Sequence, residues 1–419
     1  MSSSSDPNRG KTRRPRKAKS ICLPFPSPAH YQNCMEDREQ CRAYLLQMLA
    51  QHPELFPQTM ARGFKFHGFL HSKKQPLTMR RIRCKENGEQ YQIRPSFMMP
   101  YLIAPVEAVE KPLFFRRWGV PFEALAYAFG RDPMFWYRAY CALGRPSLVG
   151  TTIKDPQRLP KHLIGDEKHT RLKGQKAFVT TTVAQGCILG AEVVESAGTE
   201  DLKKGYGVFK QEATNLKEDY HPQTVTTDKW EPTRNAWKAL FPLAKFILCF
   251  LHAFLKIKDR CKRDKGLFPC VRQKVWHLFY APTRASFAQR CRRLREWAIP
   301  QGLAASAKEK ILELCDKAAD YKEAFSHPGA YRTTNGLERL MNYLDRILYS
   351  AQYLHGTQES ASLFVRATAM LWNFHPYDLR TQGKYGLGAS PFERLNGFRY
   401  HDNWLQNFLI AASIGGWKT

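Results

Sequence analysis

The sequence predicts a mixed α/β protein with several domains, and three observations carry that expectation. Residues 162 to 251 hold short β-rich runs separated by helical stretches. The flanking segments 112 to 144 and 255 to 348 read as helices, and 419 residues with 43% hydrophobic content suffice for two or three sizeable cores. The formal net charge is +28, which an acidic partner, nucleic acid above all, neutralises best. The densest apolar run, Phe246 to Leu251, is far too short to span a bilayer, so no membrane partner is expected. Eleven cysteines without a Cys-x-x-Cys pair argue against a disulfide framework or a paired zinc ribbon and fit a reducing, cytoplasmic compartment.

In chain order, residues 1 to 20 carry seven Lys and Arg against Asp6, interleaved with Ser and Pro, and read as a disordered basic arm. Contact with a phosphate backbone, an organellar transit peptide and a solubilising tail all fit that composition. Residues 21 to 150 form the next region. Within it, 80 to 94 alternate about Asn87-Gly88, a two-residue hairpin signal that pairs Cys84 with Tyr91 and Ile82 with Ile93 on an apolar face. Residues 112 to 144 read as three helices, with Pro112, Pro121 and Pro133 at first helical positions and Asp132 capping the last. A short helix, a turn containing Gly130 and a second helix reproduce helix-turn-helix spacing, so a DNA-binding domain is expected here. Arg131, Tyr137 and Arg138 would offer contacts to phosphates or base edges.

From Pro160 the pattern turns to strands: 162 to 168, 177 to 183 and 187 to 194, then a helix over 199 to 218. A strand at 224 to 227, a helix at 233 to 240, a strand at 245 to 251 and a helix from about His252 complete the series. The order β-β-β-α-β-α-β-α is that of a ribonuclease-H-like (RNase-H-like) fold. It places Asp166 on the first strand and Asp228 at the end of the fourth, on neighbouring strands. Two Mg²⁺ or Mn²⁺ ions need such closely spaced hard oxygens plus a third carboxylate. Glu338 is the best third acid, because Asn335, Glu338, Asn342 and Asp345 line one stripe of a helix whose opposite face is apolar. Glu393 is its competitor.

These residues resemble the DDE transposases of bacterial insertion sequences, in the RNase-H-like group with a helical insertion that includes the Mutator-like relatives. The resemblance lies in Asp166-Glu-Lys-His, Thr227-Asp228-Lys-Trp230, Leu248-Cys249-Phe-Leu-His252 and Thr334-Asn335-Gly-Leu-Glu338-Arg, and spans roughly residues 160 to 375. The Tyr-Arg-Glu-Lys signature of another transposase branch is absent. The resemblance implies Asp166, Asp228 and Glu338 as the catalytic, metal-binding triad. It also implies a catalytic domain over 160 to 254 and 328 to 375, interrupted by an all-α insertion at 255 to 327.

Cys249 and His252 lack a matching second pair for zinc and read as structural. Trp230 fits either a core position or stacking on an unpaired base. Residues 255 to 300 hold thirteen Lys and Arg against three acids, so Arg290, Arg292 and Arg293 are candidate DNA contacts, with a solvated charged face as the alternative. Residues 376 to 419 read as a packing or oligomerisation segment. The resemblance thus implies a nucleoid-associated bacterial transposase, acting as a homo-oligomer on double-stranded DNA, that binds terminal inverted repeats and joins the cut ends to target DNA. The rivals are a domesticated, non-catalytic DNA-binding regulator and an RNase-H-like nuclease that joins no strands.

Overall fold

The computed structural model describes residues 19–73, 75–263, 266–386 and 389–417. The expected basic arm lies almost wholly outside the described residues. Its last residues do not: Ser20–Leu23 forms strand β1, and the Lys19 carbonyl accepts a hydrogen bond from Gln92 N.

Strands β1, β2 (Phe64–His71), β3 (Thr78–Cys84) and β4 (Gln90–Pro95) make a sheet of order β1-β4-β3-β2, with β1 parallel to β4 and the other pairs antiparallel. The β3–β4 hairpin corrects the predicted register: Ile82 faces Tyr91 and Arg83 faces Gln90. Only Gly88 takes positive φ, at 69°, whereas a two-residue type I′ turn needs Asn87 there as well. The loop therefore takes four residues, closed by Gly88 N donating to Cys84 O and Cys84 N to Glu89 O. A slip of two residues preserves side-chain parity, so Ile82, Cys84, Tyr91 and Ile93 still share the buried face.

Three helices follow, and their starts correct two proline assignments. Pro112 lies inside Val106–Arg116, and Pro121 is the N-cap of Phe122–Phe129 rather than its first residue. Pro133–Ala142 begins as expected, with Asp132 accepting from Phe135 N at 2.9 Å. These helices share one core with Gln358–Phe374 and Trp404–Ala411, so residues 21–150 are not an independent unit. Tyr140 Oη, for example, meets Thr368 Oγ1 at 2.6 Å.

The second sheet has order β7-β6-β5-β8-β9: β5 His162–Leu172, β6 Gln175–Ala184, β7 Cys187–Val194, β8 Thr224–Thr227 and β9 Lys245–Leu248. The first three strands pair antiparallel, and β5–β8 and β8–β9 pair parallel. Alternate residues feed two cores. Phe178 packs toward Thr199–Leu216 and Glu231–Leu240, while Val179 packs toward Asn335–Ser350 and Gln358–Phe374. Burial on both faces fits the lack of polar alternation in β6, where Thr180, Thr181 and Thr182 are buried along with their apolar neighbours. β9 stops three residues short of the expected end, because Cys249 caps the helix Phe250–Arg260. That helix opens the helical insertion with Phe268–Phe279, Arg284–Ala298, Ala305–Asp316 and Ala318–Lys322, which share a separate core.

The tail's apolar helix packs within its own chain. Trp404, Leu405, Phe408 and Leu409 are buried, and Ser413 Oγ donates to Leu55 O at 2.6 Å. Among the described residues no helix is long and apolar enough to cross a membrane.

Candidate active site

The β5–β8 register sets Ile164 opposite Thr226. Two residues further along each strand stand Asp166 and Asp228, abreast where β8 ends and β5 continues. Period-2 alternation sends Asp166 and Lys168 to one face and Glu167 to the other. Asp166 Oδ1 accepts from Glu167 N at 2.9 Å and Asp228 Oδ1 from Trp230 N at 2.8 Å, which orients both carboxylates. Gly165 supports this stretch from behind, since a Cβ there would stand 2.5 Å from Trp237 Nε1.

Backbone stitching brings the third candidate to the same end of the sheet. Thr226 Oγ1 donates to Tyr331 O at 2.6 Å, Phe250 N donates to Arg332 O at 3.1 Å, and Thr334 N donates to Cys249 Sγ at 3.2 Å. Residues 331–334 therefore run along the ends of β8 and β9 and deliver the first turn of Asn335–Ser350, which contains Glu338. Lys168 Nζ, 2.6 Å from Asp345 Oδ2, ties that helix to β5. Even so, among the described residues no three His, Cys, Asp or Glu side chains converge closely enough to hold a metal ion. Asp166 and Asp228 are brought together, whereas Glu338 is brought to their end of the sheet and not into a ligand group with them. Three carboxylates repel unless a cation draws them in. In donor chemistry the aspartate pair fits a hard divalent cation.

Electrostatics mark the pair. Burial raises Asp166 from 3.8 to about 6, with Asp228 adding to the rise and His252 opposing it. The Cys249 hydrogen bond raises His252 to about 9 against the effect of burial, and both aspartates add attraction. Burial works against the Cys249 thiolate, but the hydrogen bond and charge of His252 outweigh it and hold the thiol below its ordinary value. The attraction between His252 and the two carboxylates thus favours the charged imidazole. Cys249, expected within the strand, lies one residue beyond its end, and it bonds the Thr334 hydroxyl and backbone N–H.

The other sequence candidates scatter. Trp230 is half-buried and packs 6.4 Å from Phe178, a core contact. Tyr137 stacks on Phe364 at 6.2 Å and is half-buried, so it supports the core more than a groove. Arg131 and Arg138 are exposed. Arg290 is not simply solvated, since its Nη1 donates to His277 O; Arg292 pairs with Glu296 at 3.6 Å, and Arg293 is exposed. Glu393 lies 3.4 Å from Arg399 and is no part of the aspartate pair.

Two groups escaped the sequence reading. Glu167, on the opposite face from Asp166, accepts from Tyr206 Oη at 2.6 Å and Thr233 Oγ1 at 2.7 Å. Burial raises it from 4.5 to about 7, against the pull of those hydroxyls. A raised carboxyl favours the native state at low pH, and that contribution is lost as pH rises from 4.5 through about 7. Glu167→Gln should therefore flatten the decline of unfolding free energy between pH 5 and 8 by about 1–3 kcal/mol, measured by urea denaturation. An unchanged pH slope would show that Glu167 is ionised throughout. The second group is a set of lysines, Lys229, Lys310 and Lys317, gathered on Glu313 beside Asp228. Its only sequence signal is the i, i+3 and i, i+4 spacing of Lys310, Glu313 and Lys317. Neither protein-family models nor curated proteins give a match to this chain.

Proposed function

We propose that the chain is a DNA transposase of the DDE type, with an RNase-H-like catalytic unit that cuts and joins DNA in a metal-dependent reaction. The observation that carries this reading is the register of β5 on β8, which sets Asp166 and Asp228 abreast at a strand end beside the helix start bearing Glu338. The strand order β7-β6-β5-β8-β9, with antiparallel and then parallel pairing, supports it.

In this reading Asp166 and Asp228 would hold Mg²⁺ or Mn²⁺, with Glu338 as the third acid that would complete the site. Bound there, the cation would supply Lewis-acid stabilisation of charge at a phosphodiester. The chain's own residues prepare the place. Glu167 N and Trp230 N orient the carboxylates, His252 offsets their charge at rest, and Lys168 ties β5 to the Glu338 helix. Arg131 and Arg138, exposed around Pro133–Ala142, are the remaining candidates for reading terminal repeats in a helix-turn-helix manner. Arg292 and Arg293 on the insertion would contact flanking phosphates. A bacterial, nucleoid-associated homo-oligomer on DNA is part of the same proposal.

The test is incubation of the full chain with labelled element ends, plasmid target and Mg²⁺ or Mn²⁺. Metal-dependent nicking at the ends followed by joined product supports the reading, and nicking without joining would leave the nuclease. The rival reading is a non-catalytic DNA-binding regulator. End binding with neither product would establish it. Within the transposase reading, Arg138→Ala should reduce discrimination between terminal repeat and random duplex by about 1–3 kcal/mol, measured by competition fluorescence anisotropy. Equal weakening on both duplexes would make Arg138 a phosphate contact.

A further inference from the structure

Cations from three separate elements converge beside the aspartate pair. Lys229 follows Asp228 directly, Lys256 and Arg260 come from Phe250–Arg260, and Lys310 comes from Ala305–Asp316, with Lys317 as its C-cap. Glu313 stands among them, with Lys229 and Lys317 on Oε1, the latter at 2.9 Å, and Lys310 on Oε2 at 3.0 Å. These residues border a cleft of about 480 Å³, lined by Lys229, His252, Lys256, Arg260, Lys310 and Glu313, together with Leu255 and Asp259. An adjoining recess adds Lys317 and Cys249 to the lining.

Five cationic side chains stand against Glu313, Asp259 and Glu309, the last 2.9 Å from Lys310, and leave an excess of positive charge in a concave site. Gathering three ammonium groups around one carboxylate is costly, because like charges held close together repel. An ion-pair network that only fastened the insertion to the sheet would match its charges, whereas this one keeps the surplus on the side facing the cleft. His252 borders both the cleft and the recess, and its ring is attracted by Asp166 and Asp228. The cleft therefore abuts the candidate active site.

We propose that this lysine cleft holds a backbone phosphate of the DNA strand that enters the aspartate pair, with Glu313 keeping the lysines in place and giving way in part when the phosphate arrives. The proposal rests on the nucleic-acid reading above and adds the element that positions the strand: the insertion's helix Ala305–Asp316, rather than its arginine-rich neighbour Arg284–Ala298. Lysine suits this task, because three rotatable donors on a flexible stem accept a phosphate in several orientations.

The test compares the full-length wild type with Lys256→Gln/Lys310→Gln and, separately, Glu313→Gln. A fluorescein-labelled 30-base-pair duplex of arbitrary sequence is titrated by anisotropy over a series of salt concentrations, with inorganic pyrophosphate as a separate probe. The double variant should show a slope of log K against log salt shallower by about 0.9 for each phosphate it no longer neutralises, and Glu313→Gln should bind several-fold more tightly than the wild type. Melting temperatures identify any variant that fails to fold, and the opposite signs of the two effects let either variant alone decide the matter. Wild-type slope and affinity in a folded double variant, or unchanged or weaker binding by folded Glu313→Gln, would overturn the phosphate cleft while leaving DNA binding intact. Lysine-dependent protection by pyrophosphate, with duplex binding unaffected, would overturn the assignment to a DNA strand. A wild type with no salt-dependent affinity for duplex at all would refute the nucleic-acid reading itself.

Discussion

Asp166→Asn and Asp228→Asn are each expected to abolish metal-dependent cleavage and strand transfer while leaving binding to DNA ends intact or slightly tighter, because each removes a negative charge near phosphate. Glu338→Gln should do the same once cleavage requires the third acid. A gel assay of cleavage beside an anisotropy titration separates the two effects, and near-normal cleavage by any variant removes that residue from the chemistry. Asp166→Asn carries a second, opposite signature. Its carboxyl is raised from 3.8 to about 6, so the native state holds that proton more tightly than the unfolded chain. The associated stability is present below pH 4 and lost as pH rises through about 6. At pH 7.5 the ionised side chain costs about 1–3 kcal/mol, which the neutral amide avoids, so the inactive variant should melt higher than the wild type. An equal or lower melting temperature would contradict the burial assigned to Asp166.

Arg366→Met is expected to be among the most destabilising single changes, at about 3–5 kcal/mol. The guanidinium lies 2.7 Å from Glu192 and 2.6 Å from Glu212, and its Nε and Nη2 donate to Gly144 O at 2.9 Å and Pro146 O at 2.8 Å. Glu212 also accepts from Ser147 Oγ at 2.9 Å and Val149 N at 3.0 Å. The network joins the segment following Pro133–Ala142 to β7 and to the helices Thr199–Leu216 and Gln358–Phe374, and so couples the amino-terminal helices to the second sheet. Removing Arg366 strands the buried Glu212 and the half-buried Glu192, and urea denaturation near pH 7 should show the loss. A loss below about 1 kcal/mol would mean that water reaches both acids. Replacing all three charged residues by apolar ones of similar volume should cost much less than the single change.

The parts of the fold legible in the sequence are those whose information is local. β7 and β8 fall where β-branched runs bounded by turn residues put them, and Asp132 caps its helix as its side chain allows. β1 and β2 were not legible. β1 has four residues and pairs with β4 across some 70 positions, and β2 is mostly exposed, with a register shift between Phe66 and Phe69. The hairpin turn misled because Asn-Gly also fits a longer loop in which only the glycine needs positive φ. At the candidate site, Asp166 and Asp228 were legible because their offsets along two predicted strands are short. Glu167 was not, since its worth depends on Tyr206 and Thr233, which only the tertiary fold supplies. The lysine cleft depends in the same way on elements far apart in sequence.

The central claim is that Asp166 and Asp228 act as one cation-holding pair at the point of DNA cleavage. Electron paramagnetic resonance titration of Mn²⁺ into the full chain bound to duplex DNA tests it most directly. Wild type should take up Mn²⁺ at a site that Mg²⁺ competes for, and Asp166→Asn and Asp228→Asn should each lose that site although both remain folded and DNA-bound. Unchanged Mn²⁺ uptake in both variants would contradict the claim and leave the two aspartates as a strand-end feature without a cation.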